Sequence, residues 1–180
     1  MTLKLPLQNG KKHISIVSCY APTMTNPDDV IAKFYEELNS TLLDIPKTEK
    51  LLILGDFNAR VGSDHHIWKF GIGQCNSNGL LLLQTCAEHK LLISNTIFSL
   101  PMRKRTSWMH PRSRHWHLID YVITRQSDRQ DIRVTKSCCG AECGTDHRLV
   151  ITKLNIRIQP KRLPQKSKPL KKAKHGQLSR

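Results

Sequence analysis

Acidic residues are scarce in this 180-residue chain: 14 Asp and Glu stand against 29 Lys and Arg, for a formal net charge of +15. Such an imbalance points to a polyanionic partner, nucleic acid foremost. Long apolar runs are missing too. Nothing approaches the roughly 18 residues needed to cross a bilayer, and Leu3-Lys4-Leu5-Pro6-Leu7 is too short for a secretory core, so the expectation is a soluble, intracellular, non-secreted protein without membrane attachment. The six cysteines, at 19, 75, 86, 138, 139 and 143, contain no paired CxxC spacing, which removes the usual zinc signature and leaves reduced thiols as the expected state. A loop flanking a strand accounts for Cys138, Cys139 and Cys143 better than metal binding with His147 does. At 38% apolar residues a core is affordable but not generous, and one domain is expected.

What is present is organised. Residues 13–20 alternate in strand fashion, with Ile14 and Ile16 on one face, and end at Tyr20-Ala21-Pro22, where proline stops the pairing. Asn26 is placed to cap a helix with Pro27 in its first turn, Asp28 and Asp29 at its positive end, and Val30, Phe34, Leu38 and Leu42 on its inner face. Residues 51–54 form a short, fully apolar run of the kind buried in a sheet, and it delivers Gly55-Asp56-Phe57-Asn58 at its exit. Residues 61–78 read as a loop, and 79–90 as a second helix capped by Asn78. Strands are expected at 91–94, 118–124, around Ile132 and Val134, and over 149–158. This alternation predicts a layered α/β sandwich over residues 1–158. The stretch 159–180, with three prolines, eight basic residues and no acid, is expected to be a disordered tail carrying +8. Nuclear import, a nonspecific DNA clamp and a solubilising end are all open readings for it.

Polar groups recur just beyond the apolar runs. On extended backbone, Asp56 and Asn58 would project from the same face, one to take a proton and the other to donate to a phosphate, although Gly-Asp-x-Asn is also good turn chemistry. Asp120 interrupts the apolar run Leu118-Ile119-Tyr121-Val122-Ile123. A buried carboxylate costs several kcal/mol unless partnered, about the magnitude known for unpaired buried charge. His147 is one available partner, with Asp120 fixing its tautomer; Arg114 and Arg125 are the alternatives. Asp146-His147 could set a carboxylate beside a metal and an imidazole over water, although taken singly the pair reads better as a surface turn. Residues 102–117 interleave Arg103, Lys104, Arg105, Arg112 and Arg114 with Trp108 and Trp116, a mixture suited to phosphate neutralisation and base stacking, or else a solvated basic loop.

Six strings in order, Cys19-Tyr20-Ala21-Pro22-Thr23, Gly55-Asp56-Phe57-Asn58, Asn78-Gly79-Leu80 with Asn95-Thr96-Ile97-Phe98, Thr106-Ser107-Trp108, Ile119-Asp120-Tyr121 and Thr145-Asp146-His147, resemble the endonuclease/exonuclease/phosphatase superfamily. The stretch from Trp108 through Met109-His110-Pro111-Arg112-Ser113-Arg114-His115-Trp116-His117 to Tyr121 is similar to the endonuclease module of RTE/BovB-type non-LTR retrotransposons and to the craniofacial-development-protein-like host proteins derived from it. The resemblance implies a four-layer α/β sandwich, magnesium dependence with manganese as the alternative ion, and nicking of DNA by a monomer acting in the nucleus, or in nucleus and cytoplasm. It implies that Tyr20 steadies the scissile phosphate, Asp56 orients or deprotonates water, Asn58 donates to the phosphate, Asp120 orients His147, Asp146 holds the metal and Thr106 shapes the DNA-facing loop. Position 145 is Thr where the superfamily often has Ser. The family also places an Asn and a metal-binding Glu, with several strands, before the tyrosine strand; only nineteen residues precede Tyr20 here and none is Glu, so the sandwich is expected to lack its N-terminal strands. Two rivals follow: a nucleic-acid-binding protein without catalysis, and a phosphatase of lipid or small phosphate esters.

Overall fold

The computed structural model describes residues 1–8, 12–63, 70–141 and 144–160. The expected tail lies, apart from its first two residues, outside the described residues, as does Cys143. Five strands form the main sheet: β1 (Thr2–Pro6), β2 (His13–Tyr20), β3 (Lys50–Asp56), β4 (Leu91–Ile93) and β7 (Asp120–Arg125), in the order β1-β2-β3-β7-β4. Only β2 and β3 run parallel, joined through helix α1 (Asp28–Asp44); the other pairs are antiparallel. Helix α2 (Ser77–Glu88) precedes β4. A two-stranded ribbon, β5 (Trp108–Met109) with β6 (Trp116–His117), precedes β7, and β8 (Ile132–Cys138) pairs with β9 (Leu149–Leu154) in a separate sheet.

Strand pleating divides the core in two, since successive side chains leave opposite faces. Val17, Leu51, Ile53, Tyr121 and Ile123 face α1 and α2, against Leu38, Leu42, Leu82 and Cys86. Ile14, Leu52 and Val122 face the other way, with Ile132 of β8 and partly buried Ile16, Leu54, Val150 and Leu154. The α/β class expected from the sequence is therefore present, with helices on one face of the main sheet and β8–β9 on the other. No helix among the described residues is long and apolar enough to cross a membrane.

Several local expectations change. Helix α1 begins at Asp28 after Pro27, and Asn26 does not cap it; the Asn26 carboxamide accepts from the Thr23 N–H at 2.8 Å and closes the turn before it. Leu38 and Leu42 are buried and Phe34 packs against the same core as expected, but Val30 is 41% exposed and Ile31 takes its place on the inner face. The cap of α2 is Asn76, whose Oδ1 accepts from both Arg60 N and Gly79 N at 2.8 Å. Asn78, expected as that cap, is instead buried in the first turn and donates to Pro22 O at 3.0 Å and Asn58 O at 3.3 Å, tying together the loops that leave β2 and β3. Strand β1, unassigned from the sequence, pairs along β2; the last strand stops at Leu154, and Ile158 makes only an isolated bridge to Leu7.

Candidate active site

Parallel pairing of β2 with β3 sets Tyr20 opposite Asp56, and antiparallel pairing of β3 with β7 sets Asp56 opposite Asp120. Three of the expected residues thus reach one sheet end through strand register alone. Their backbone is held firmly. Ser107 Oγ accepts from Ile119 N and Asp120 N, each at 3.1 Å, while Asn95 donates to Asp120 O at 3.1 Å and accepts from Val122 N at 2.8 Å. Buried Tyr121 donates from its hydroxyl to Leu118 O at 2.9 Å and reaches Ala59 O at 3.1 Å, joining the start of β7 to the loop after β3. Ser107, Asn95 and Tyr121 are the positioning residues that a search for charged side chains passes over; their signal is a buried polar group next to an apolar run.

His147 enters from the loop before β9. Its Nδ1 lies 3.0 Å from Asp120 Oδ2 and its Nε2 lies 4.0 Å from Asp56 Oδ2. Neither Arg114 nor Arg125 takes the place of His147: Arg125 donates to the carbonyls of Ile45, Pro46 and Glu49. With Nδ1 donating to Asp120, Nε2 carries the lone pair and faces Asp56. The 4.0 Å between them leaves room for one oxygen to reach both at about 2.8 Å, an ordinary hydrogen-bond length. Burial raises the Asp56 pKa above the ordinary carboxylate value; its bond from Asn58 N opposes this, and the charges of Asp120 and Asp146 add to it. Ligand atoms of Asp56, Asp120 and His147 all lie within 4.8 Å of one another, a cluster able to hold a metal ion. Crowded carboxylate charge and oxygen donors suit a hard divalent cation.

Because Asp56 binds its proton more tightly folded than unfolded, its contribution to stability is full below the unfolded carboxylate pKa and is lost as pH rises through the raised folded value. Asp56→Asn is therefore expected to raise the Tm at pH 7, with the gain vanishing near pH 3, while activity falls. Thermal unfolding across that range checks this; a Tm lowered at pH 7 contradicts it.

The remaining expected residues divide. Asn58 is not extended but left-handed, at φ 46°, with its N–H on Asp56 Oδ1 and its Nδ2 on Ala21 O at 2.9 Å, so the same-face projection with Asp56 does not occur. Tyr20 is 75% exposed at the strand exit. Asp146 lies outside the three-residue cluster, its carboxylate accepting from Trp108 Nε1 at 2.7 Å, and that bond holds its pKa below the ordinary value. Thr106 is buried and accepts from Arg148 at 2.7 Å; it faces inward. Arg105 is spent on Phe70 O at 2.8 Å and Gly71 O. Arg112 and Arg114 are exposed on the turn between β5 and β6, Arg103 is exposed nearby and Lys104 is half-buried. Arg148, absent from the expected set, lies 3.4 Å over the Trp116 ring. Cys139 donates to Arg103 O.

Residues 14–151 match the sequence profile of the family described as endonuclease-reverse transcriptase. This chain belongs to that family. Craniofacial development protein 2 of Bos taurus is 35% identical to it over 172 residues; the match takes in 94% of this chain but only 29% of that protein, so the chain spans under a third of the relative's length. The fold recurs in solved structures. The Xenopus laevis APE2 catalytic domain superposes with a TM-score of 0.64 at 15% identity, covering 88% of this chain and 55% of that one. The endonuclease domain of TRAS1, a telomere-specific non-LTR retrotransposon, gives 0.53 at 16% identity over 79% and 58%.

Proposed function

We propose that this chain is an endonuclease-like, magnesium-dependent phosphodiesterase of retrotransposon origin that nicks DNA as a monomer, within a single domain over residues 1–158. The carrying observation is the line Asp120–His147–Asp56, with Asp120 on Nδ1 and Nε2 turned to the second carboxylate. In this reading the bond to Asp120 fixes the imidazole tautomer and strengthens Nε2 as a proton acceptor. Asp56 orients the attacking water, Nε2 takes its proton, and the imidazolium so formed meets the charge that develops on phosphorus. Asn58 shapes the loop beneath the phosphate, and Tyr20 steadies the phosphate from the adjoining strand. Asp56 and Asp120, with Asp146 beside them, would hold magnesium, or manganese in its place. When bound, such an ion offsets negative charge on the phosphate oxygens.

DNA is the favoured substrate because the net charge is +15 and the β5–β6 turn presents Arg112 and Arg114 to solvent. The basic stretch 159–180 supports nuclear residence. Conversion of supercoiled plasmid to nicked circle in magnesium, with an inositol phosphate as competitor, tests the reading. Nicking unaffected by the competitor is expected; release of phosphate from the inositol ester in preference to nicking would make the protein a phosphatase.

One observation favours the second reading, a binder without catalysis. The metal-binding Glu implied by the family resemblance has no counterpart in the cluster among the described residues: Glu49 lies before β3, at the end of the sheet away from Asp56, where it accepts from Lys4 and Ser15. Plasmid binding without metal-dependent nicking is the result that selects it.

A further inference from the structure

Trp108 of the β5–β6 ribbon offers little surface for a base. His117 lies against the Trp108 ring at 5.8 Å between centroids, His147 at 6.3 Å and His110 edge-on at 5.5 Å, while its indole N–H is used by Asp146. Backbone contacts make the same connection. Trp108 forms an isolated bridge with His147, Met109 N donates to Asp146 O at 3.3 Å, and Arg148 N donates to Ser107 O at 2.6 Å. Strand β5 and the loop carrying Asp146 and His147 are therefore one mechanical unit.

The geometry points to Trp108 as a positioning residue that aims the Asp146 carboxylate at the acidic cluster, and not as a stacking platform for nucleic acid. Asp146 is a short, solvent-facing side chain whose carboxylate meets its own backbone N–H and, from another side chain among the described residues, the Trp108 indole N–H on Oδ2. A carboxylate has further lone pairs to offer a cation beside these two bonds. A solvated carboxylate without such an anchor samples several rotamers and binds a cation more weakly, for the same reason that outer partners of metal ligands matter in other sites. This inference rests on the proposed role of Asp146 as a metal ligand.

The test is Trp108→Phe in the full chain, which keeps an aromatic ring against the three histidines and removes only the N–H donor and the second ring. Mn2+ affinity is read by electron paramagnetic resonance, Tm by calorimetry, and duplex binding by fluorescence anisotropy in EDTA. The expected result is a 10- to 100-fold rise in the Mn2+ Kd, the range known for lost outer-partner contacts, with DNA affinity in EDTA within about twofold and Asp146→Asn costing less in the Trp108→Phe background than in wild type. Unchanged Mn2+ affinity in Trp108→Phe, beside a wild type that binds, overturns the positioning role and leaves the proposed function standing. Loss of DNA affinity in EDTA at unchanged Mn2+ affinity makes Trp108 a stacking residue after all. A wild type that takes up no Mn2+ defeats both the metal site and this inference.

Discussion

Asp120→Asn is expected to cut plasmid nicking about 10⁴-fold, the scale seen when the carboxylate partner of a catalytic imidazole becomes an amide. An amide facing Nδ1 can donate, which pulls the lone pair onto Nδ1 and puts the hydrogen on Nε2, the wrong tautomer for accepting a proton beside Asp56. The fold should survive. The Asp120 backbone is fixed by Ser107 and Asn95, whose bonds do not involve the carboxylate. His147→Ala removes the acceptor itself and should lose roughly 10²- to 10⁴-fold, the range of general acid–base contributions. Nicking rates with Tm measured on the same samples check both; a rate within threefold of wild type for either variant contradicts the assignment.

Gly55→Ala is expected to damage stability and site geometry together. Gly55 has φ +157° and pairs with Cys19 across the parallel β2–β3 ladder, so a Cβ there would fall 1.9 Å from Cys19 O. A backbone carbonyl cannot swing away as a side-chain tip can. Relief requires parting the two strands one residue before Tyr20 and Asp56, so stability and site geometry fail together, with a loss of about 4 kcal/mol or more, the size reserved for such backbone conflicts. Gly140 is the control: nothing lies within 4 Å of a Cβ at that position. Gly140→Ala should stay within about 0.5 kcal/mol of wild type, as surface changes do. Urea unfolding of the two variants decides it, and equal midpoints contradict the strand-contact argument.

Strands were the readable part of this sequence, and for a physical reason. The run at 51–54 and the interrupted run around Asp120 are buried between layers, so their composition reports their environment directly, and strand ends then fix where Asp56 and Asp120 stand. The bond between Asp120 and His147 was legible because a buried carboxylate needs a partner and few were available. What was not legible depends on contacts distant in the chain. Asn76 outcompetes Asn78 as a cap because Arg60 N is also within its reach, a fact with no local trace. Asn58 turns left-handed where alternate spacing suggested extension. Thr106, Arg105 and Trp108 share a basic, aromatic segment that reads as a nucleic-acid surface, yet each is engaged by a partner distant in the chain: Arg148, the Phe70–Gly71 carbonyls and Asp146. Ordering of charge along a ribbon does not say which way its side chains point when its strands are only two residues long.

Single-turnover nicking by Asp120→Asn, His147→Ala and the double variant, in magnesium beside wild type, addresses the convergence of these groups most directly. Residues that act as one unit lose rate non-additively. The double variant is predicted to be no slower than the slower single one. A double variant slower by the product of the two single losses would show that Asp120 and His147 work apart.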